Sequence, residues 1–197
     1  MSDDKGDEPD FASEEEFDAA LNGLPFGGGD DDGDDDLIID DDDEFRDGAD
    51  AAYAELLDRI GEGAPQPRLD PTRRAVELLG DVHRSAPVIH LTGTNGKTST
   101  SRMIESLLRA SGLRTGLLTS PHLERVNERI MIDGAPISNE AFARNWDDIS
   151  PFLLMVDAEL AANGEPELTF FEALTVLAFA CFADAPVDVM VLEVGMG

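Results

Sequence analysis

The sequence predicts an α/β domain built on a parallel sheet and preceded by an acidic tail. Three observations predict it. The apolar run Val88 to Thr92 stops abruptly in a Gly-rich turn that closes with Gly96-Lys97-Thr98 and opens a helical pattern. A second apolar strand pattern, Thr115 to Thr119, follows that helix, and a third, Val187 to Val194, comes after an apolar helix. Charge is the third observation. The net charge is −29, but residues 1 to 50 carry 22 acids against Lys5 and Arg46, so −20 belongs to them and −9 to the rest.

Runs such as DDDGDDD repel themselves and bury little, so residues 1–47 read as a disordered tail and 48–197 as the folded part. A tail of this sign repels a phosphate backbone, which argues against nucleic acid as a partner. One cysteine, Cys181, makes no internal disulfide, and no leader pattern opens the chain, which points to the cytoplasm. The apolar stretch Ala173 to Ala183 is about ten residues, where a bilayer needs roughly twenty, so no membrane partner is expected.

In chain order, Asp50 to Ile60 reads as a helix with Ala51, Ala54 or Leu56, Leu57 and Ile60 on one side, broken by Gly61 to Pro67. Asp70 is the expected cap of the next helix, with Pro71 at its first position and Gly80 after its end. Val88 to Thr92 has the continuous apolarity of a strand in the middle of a parallel sheet. The helix from Lys97 to Ser111 should bury Met103, Ile104, Leu107 and Leu108, with Gly112 as its stop. Asp133-Gly134, between Arg129–Ile132 and Ala135–Ile137, predicts a hairpin. Ser138 caps a helix from Asn139 to about Ala162, bent near Pro151 and closed by Gly164. Thr169 and Glu172 form a capping box ahead of Phe170 to Phe182. The ending Gly195-Met196-Gly197, a turn after a buried strand, leads to the expectation that the chain is a fragment.

The Gly-rich turn carries the chemistry. The residues Gly93, Thr94, Asn95, Gly96, Lys97, Thr98 and Ser99 give G-x-x-G-K-T, with Leu91 where the longer phosphate-loop pattern has glycine. Glycines let backbone N–H groups close around phosphate oxygens, Lys97 supplies a point charge, and the Thr98 hydroxyl can ligate Mg²⁺. The folded part uses arginine elsewhere and retains lysine only here, which independently singles out Lys97. Glu193, near the end of VMVLEVG, is an acid among apolar neighbours, where it is costly unless it holds a metal or pairs with an arginine. Ser120, at the end of the second strand, can reach the same ion or a phosphate, or be an ordinary turn residue. His122 can contact a substrate or pack, and Arg125, Asn127 and Arg129 form a polar cluster able to hold an anion. His90 reads as a core histidine, His83 as a surface one, Glu172 as a cap and Cys181 as core.

Three stretches together, HLTGTNGKTST, LLTSPHLERVNERIMIDG and TFFEALTVLAFACFADAPVDVMVLEVGMG, resemble the folylpolyglutamate and dihydrofolate synthases, members of the Mur-ligase superfamily of ATP-dependent amide-forming ligases. The resemblance spans about Arg68 to Gly197. It implies the N-terminal part of a Mur-ligase-type ATP-binding domain, acting as a monomer on ATP, dihydropteroate or a folate, and L-glutamate. Carried over, Gly93 to Ser99 bind ATP with Lys97 catalytic, Thr98, Ser120 and Glu193 hold Mg²⁺, and His122 and Arg125 contact the pterin-bearing substrate. The family continues past Gly197 with further metal ligands and a second domain, so the chain as given is expected not to complete ligation. Two other readings share the loop: a ligase acting on UDP-sugar peptides, and a non-catalytic nucleotide-binding module.

Overall fold

The computed structural model describes residues 45–59, 61 and 68–195; the acidic tail lies outside them, apart from the residues that open the first helix. The elements are α1 (Arg46–Leu57), α2 (Asp70–Leu78), β1 (Val88–Leu91), α3 (Lys97–Ala110), β2 (Thr115–Leu118), β3 (Ile130–Ile132), β4 (Ala135–Pro136), α4 (Asn139–Ala162), α5 (Phe170–Asp184) and β5 (Val189–Glu193). Short 3-10 turns occupy Val82–Arg84 and Val126–Arg129. No described helix is long and apolar enough to cross a membrane.

The sheet order is β1-β5-β2-β3-β4. β5 runs parallel to both of its neighbours, with Val88 opposite Met190 on one side and Gly116 opposite Met190 on the other. The hairpin forms as expected, with β3 antiparallel to β2 and Ile132 opposite Ala135 across the Asp133-Gly134 turn. Every residue of β5 is buried, whereas Val88 and His90 of β1 are exposed. Among the described residues the run at 88–92 is therefore an edge strand of the sheet and not a central one, and His90 is exposed and not a core histidine. Apolar composition marks a strand but does not encode its place in the order.

Thr115 and Gly116 are consecutive on β2 and so face opposite sides of the sheet. The Thr115 hydroxyl donates to Glu105 Oε1 of α3 at 2.6 Å, while Gly116 lies under the Phe182 ring of α5. Helices α3 and α5 thus cover opposite faces. Behind α5 lie α4, α2 and α1, and the core runs through Phe142, Ile149 and Leu153 of α4 to Leu174, Leu177 and Phe182 of α5.

Several local expectations hold. Ser138 caps α4 by accepting from the Ala141 N–H at 3.1 Å, and the Thr169–Glu172 box forms in both directions. Glu172 also takes the Arg68 guanidinium at 3.0 Å from each of two nitrogens, which locks the start of α5. Cys181 is core, and burial pushes its thiol well above the ordinary range.

Others shift. Helix α1 starts earlier and buries Ala49, Ala52 and Leu56, leaving Ala51 and Leu57 exposed; Ile60 lies outside the described residues. Leu69 takes the cap position of α2, so Asp70 is helical and pairs with Arg73 at 2.9 Å. His83 is half-buried, with its ring edge-on to Phe179. In α3 the buried residues are Ser101 and Glu105; of the expected stripe Ile104 and Leu108 are half-buried, while Met103 and Leu107 are exposed. The side chains that face the sheet are polar because they serve Thr115, Arg109 and the Lys97 carbonyl.

Candidate active site

Because β1, β5 and β2 are parallel and in register, their carboxyl ends meet at one edge of the sheet. Leu91 is opposite Glu193, and Leu118 is opposite Leu192. That alignment brings the loop after β1, the acid that ends β5 and Ser120 after β2 to one place, although the sequence separates them widely.

Gly96 caps α3 at φ 74, a left-handed conformation in which a side chain is strained, and its carbonyl accepts the Thr100 N–H at 2.9 Å. The first N–H groups of α3, from Lys97 onward, have no partner within the helix and mark the place where an anion is favoured. Lys97 folds back so that Nζ donates to the Gly93 carbonyl at 2.8 Å. The Thr98 hydroxyl lies 3.0 and 2.9 Å from the two Glu193 carboxylate oxygens and 3.5 Å from the Ser120 carbonyl. Glu193 is only 4% exposed.

The acid, hydroxyl and carbonyl oxygens at this point are the hard donors that suit Mg²⁺, which commonly takes one or two carboxylates and completes its shell with phosphate and water. Among the described residues no group of three or more His, Cys, Asp or Glu side chains could hold a metal, so a cation here would rely on those other oxygens.

The segment from Ser120 to Arg129 is held from inside. The Glu128 carboxylate accepts the N–H groups of Leu123, Glu124 and Arg125, each at 2.8 Å. These bonds, led by that from Leu123, push its acid down to about 2. A carboxylate with a lowered folded value stabilises the segment above its ordinary value of 4.5, and the effect is lost as pH falls toward about 2. Acidification through that interval is expected to lower the protection of the Leu123, Glu124 and Arg125 amides, read as exchange relative to the free-peptide rate at the same pH, and Glu128→Gln should show the lower protection already at neutral pH. Slow exchange in the variant would refute this account.

Of the residues grouped before the hairpin, Arg125 and Asn127 border one cavity, while Arg129 turns to His122 and Phe170. Arg129 is 3% exposed; its Nε donates to His122 Nδ1 at 2.8 Å, and its guanidinium lies over the Phe170 ring at 5.1 Å from the centroid. Asn127 is buried and donates to the Ile137 carbonyl at 3.0 Å. Arg125 is exposed and lines an open cavity of about 290 Å³ with Asn127, Glu128, Pro136, Ile137 and Ser138. His122 Nε2 is 3.3 Å from the Tyr53 hydroxyl of α1. Sequence reasoning gave Tyr53 no role; its one signal was being the only tyrosine in the chain. Phe171 was also passed over, yet its ring packs against Gly195, just after Glu193.

No model of a known protein family matches the chain. Among curated proteins it is 44% identical over 154 residues to the dihydrofolate synthase/folylpolyglutamate synthase of Mycobacterium tuberculosis, covering 75% of this chain and 32% of that protein. Among solved structures it resembles the M. tuberculosis folylpolyglutamate synthase complexed with ADP, with a TM-score of 0.72 at 42% identity over 78% of this chain and 33% of that one. It also resembles E. coli FolC in complex with DHPP and ADP, with a TM-score of 0.62 at 33% identity over 75% of this chain and 33% of that one. The chain spans about a third of the length of these relatives.

Proposed function

Since the chain belongs to the family of folylpolyglutamate and dihydrofolate synthases, we propose that the whole protein joins L-glutamate to dihydropteroate or to a folate in an ATP-dependent reaction. The observation that carries this reading is the meeting of Thr98, Ser120 and Glu193 at the sheet edge beside the N-terminus of α3.

A carboxylate resists attack by an amine because it is anionic and its leaving group would be oxide. Transfer of the γ-phosphoryl group to a carboxylate oxygen releases ADP and gives an acyl phosphate. The amine nitrogen of glutamate then forms the C–N bond as phosphate leaves, and the amine gives up a proton to solvent. In this reading Gly93, Thr94, Asn95, Gly96 and Ser99 wrap the triphosphate with their backbone. Lys97 gives up the Gly93 carbonyl to place its ammonium on the oxygens of the transferred group. Thr98, Ser120 and Glu193 would hold Mg²⁺, which neutralises charge on the outer phosphates. The segment from Pro121 to Arg129 borders the pterin-bearing substrate, with Arg125 and His122 as its contact residues. Arg125 faces solvent for an anionic group, whereas both imidazole nitrogens of His122 lie beside protein partners.

Calorimetric titration of the 197-residue chain with ATP tests the nucleotide site. Saturable binding that weakens about ten-fold or more when Mg²⁺ is chelated, or when Glu193 is replaced by glutamine, is expected. A cooperatively folded chain with no affinity for ATP refutes the site. For the whole protein, phosphate release that requires both a pterin substrate and glutamate is expected. Release driven by a UDP-sugar peptide instead would select the other ligase class.

A further inference from the structure

The contacts among Tyr53, His122, Arg129 and Phe170 form a continuous link from α1, through the Ser120–Arg129 segment, to the start of α5. An arginine Nε always donates, so His122 Nδ1, at 2.8 Å from it, presents its lone pair. That fixes the neutral imidazole with its proton on Nε2, directed at the Tyr53 hydroxyl 3.3 Å away. The rings of Tyr53 and His122 meet edge to face, with centroids 6.0 Å apart. The Arg129 carbonyl in turn accepts the Thr119 N–H at 2.9 Å, next to Ser120.

We propose that Tyr53 is a positioning residue which, through His122 and Arg129, sets the place of the Pro121–Arg129 segment at the substrate edge of the site. The link between Tyr53 and His122 crosses 69 residues of sequence and joins the segment that opens at Pro121 to α1. Glu128 braces the segment from within, Asn127 and the Arg129 carbonyl tie its far end to Ile137 and Thr119, and the Tyr53 link holds the end near His122. His122, on this account, is a joint whose ring orientation is spent on Tyr53 and Arg129. The proposal rests on the reading of this segment as a border of the pterin site, and the test separates the two.

The test compares the chain with its Tyr53→Phe and His122→Ala variants. Loss of one hydrogen bond of this kind corresponds to about a ten-fold change in an equilibrium. Tyr53→Phe is expected to speed amide exchange at Leu123, Glu124 and Arg125 about ten-fold, with exchange in β2 and β5 unchanged. A histidine-labelled NMR spectrum should show His122 in the Nε2–H form in both proteins, because Arg129 still donates to Nδ1, with the Nε2 resonance shifted in the variant by loss of the Tyr53 hydroxyl. Affinity for dihydropteroate should fall about ten-fold while affinity for Mg-ATP stays within about two-fold. His122→Ala should loosen the segment and weaken dihydropteroate binding at least as much, and Tyr53→Phe added to it should change nothing further. Unchanged exchange at 123–125 overturns the proposal. Exchange that rises equally in β5 also overturns it, because Tyr53 would then be ordinary packing. If the segment loosens as expected but the parent chain binds Mg-ATP and no dihydropteroate, the pterin reading fails and the positioning role stands.

Discussion

Replacing Lys97 with alanine in the complete enzyme is expected to lower turnover by about 10²- to 10³-fold or more while the midpoint of thermal unfolding barely moves. The two halves of that expectation have separate causes. Charge accumulates on the transferred phosphoryl oxygens as the reaction proceeds, and an ammonium held beside them acts mainly on the transition state, so its loss falls on kcat. The contact that Lys97 makes in this structure is a hydrogen bond to the Gly93 carbonyl, and the residue is only half-buried, so water takes the place of the ammonium when the side chain is truncated. Lys97→Arg should restore little, because a planar fork does not occupy the position of a compact point charge. Steady-state phosphate release and thermal melts measured in parallel check both halves. Retained turnover would remove Lys97 from the mechanism, and a large loss of stability would show that the loop needs the side chain to fold.

The second large effect is on stability. Gly116 lies in β2 between Met190 of β5 and Ile132 of β3, and a Cβ built there would stand 2.7 Å from Cδ1 of Phe182. Phe182 is fully buried, so its ring cannot swing into solvent to make room. Gly116→Val is therefore expected to cost about 3 kcal/mol or more in urea unfolding, at the upper end of overpacking effects, against a total stability of about 5–15 kcal/mol. Phe182→Leu should recover part of that loss in the double variant, because the smaller side chain frees the volume the new methyl groups need. Additive losses in the pair would show that the two positions do not compete for one space. Phe182→Ala alone should cost about 3–5 kcal/mol through the cavity it leaves.

These two positions also show what the sequence makes legible. Lys97 stands out because a phosphate loop is a local device: spacing, glycines and the start of a helix lie within a few residues, and the helix begins at Lys97 as expected. The Asp133-Gly134 hairpin and the Thr169–Glu172 cap were legible for the same reason. Gly116 was not singled out, because its constraint comes from Phe182 on a distant helix. The meeting of Glu193 with Thr98 follows from topology, and the sequence supplied it only through the rule that ligands gather where parallel strands end. Periodicity placed Ile104 and Leu108 on the inner side of α3 but missed Ser101 and Glu105, since it weighs apolar residues while Ser101 bonds the Lys97 carbonyl of its own helix and Glu105 takes the Thr115 hydroxyl of the sheet. Tyr53 is the plainest omission, as nothing local to it refers to His122.

The position of β5 sets the order in which this fold can be assembled. Among the described strands, β5 lies farthest along the chain, and it is the one to which β1 and β2 are both hydrogen-bonded. During synthesis β1 and β2 leave the ribosome with no ladder between them, and α3 waits with one sheet partner in place until Val189–Glu193 emerges. Closing such distant pairs makes folding slow relative to helical domains and leaves strand edges open in the meantime. The same strand ends in Glu193, so the arrival of the acid at Thr98 and the joining of β1 to β2 through β5 are a single event.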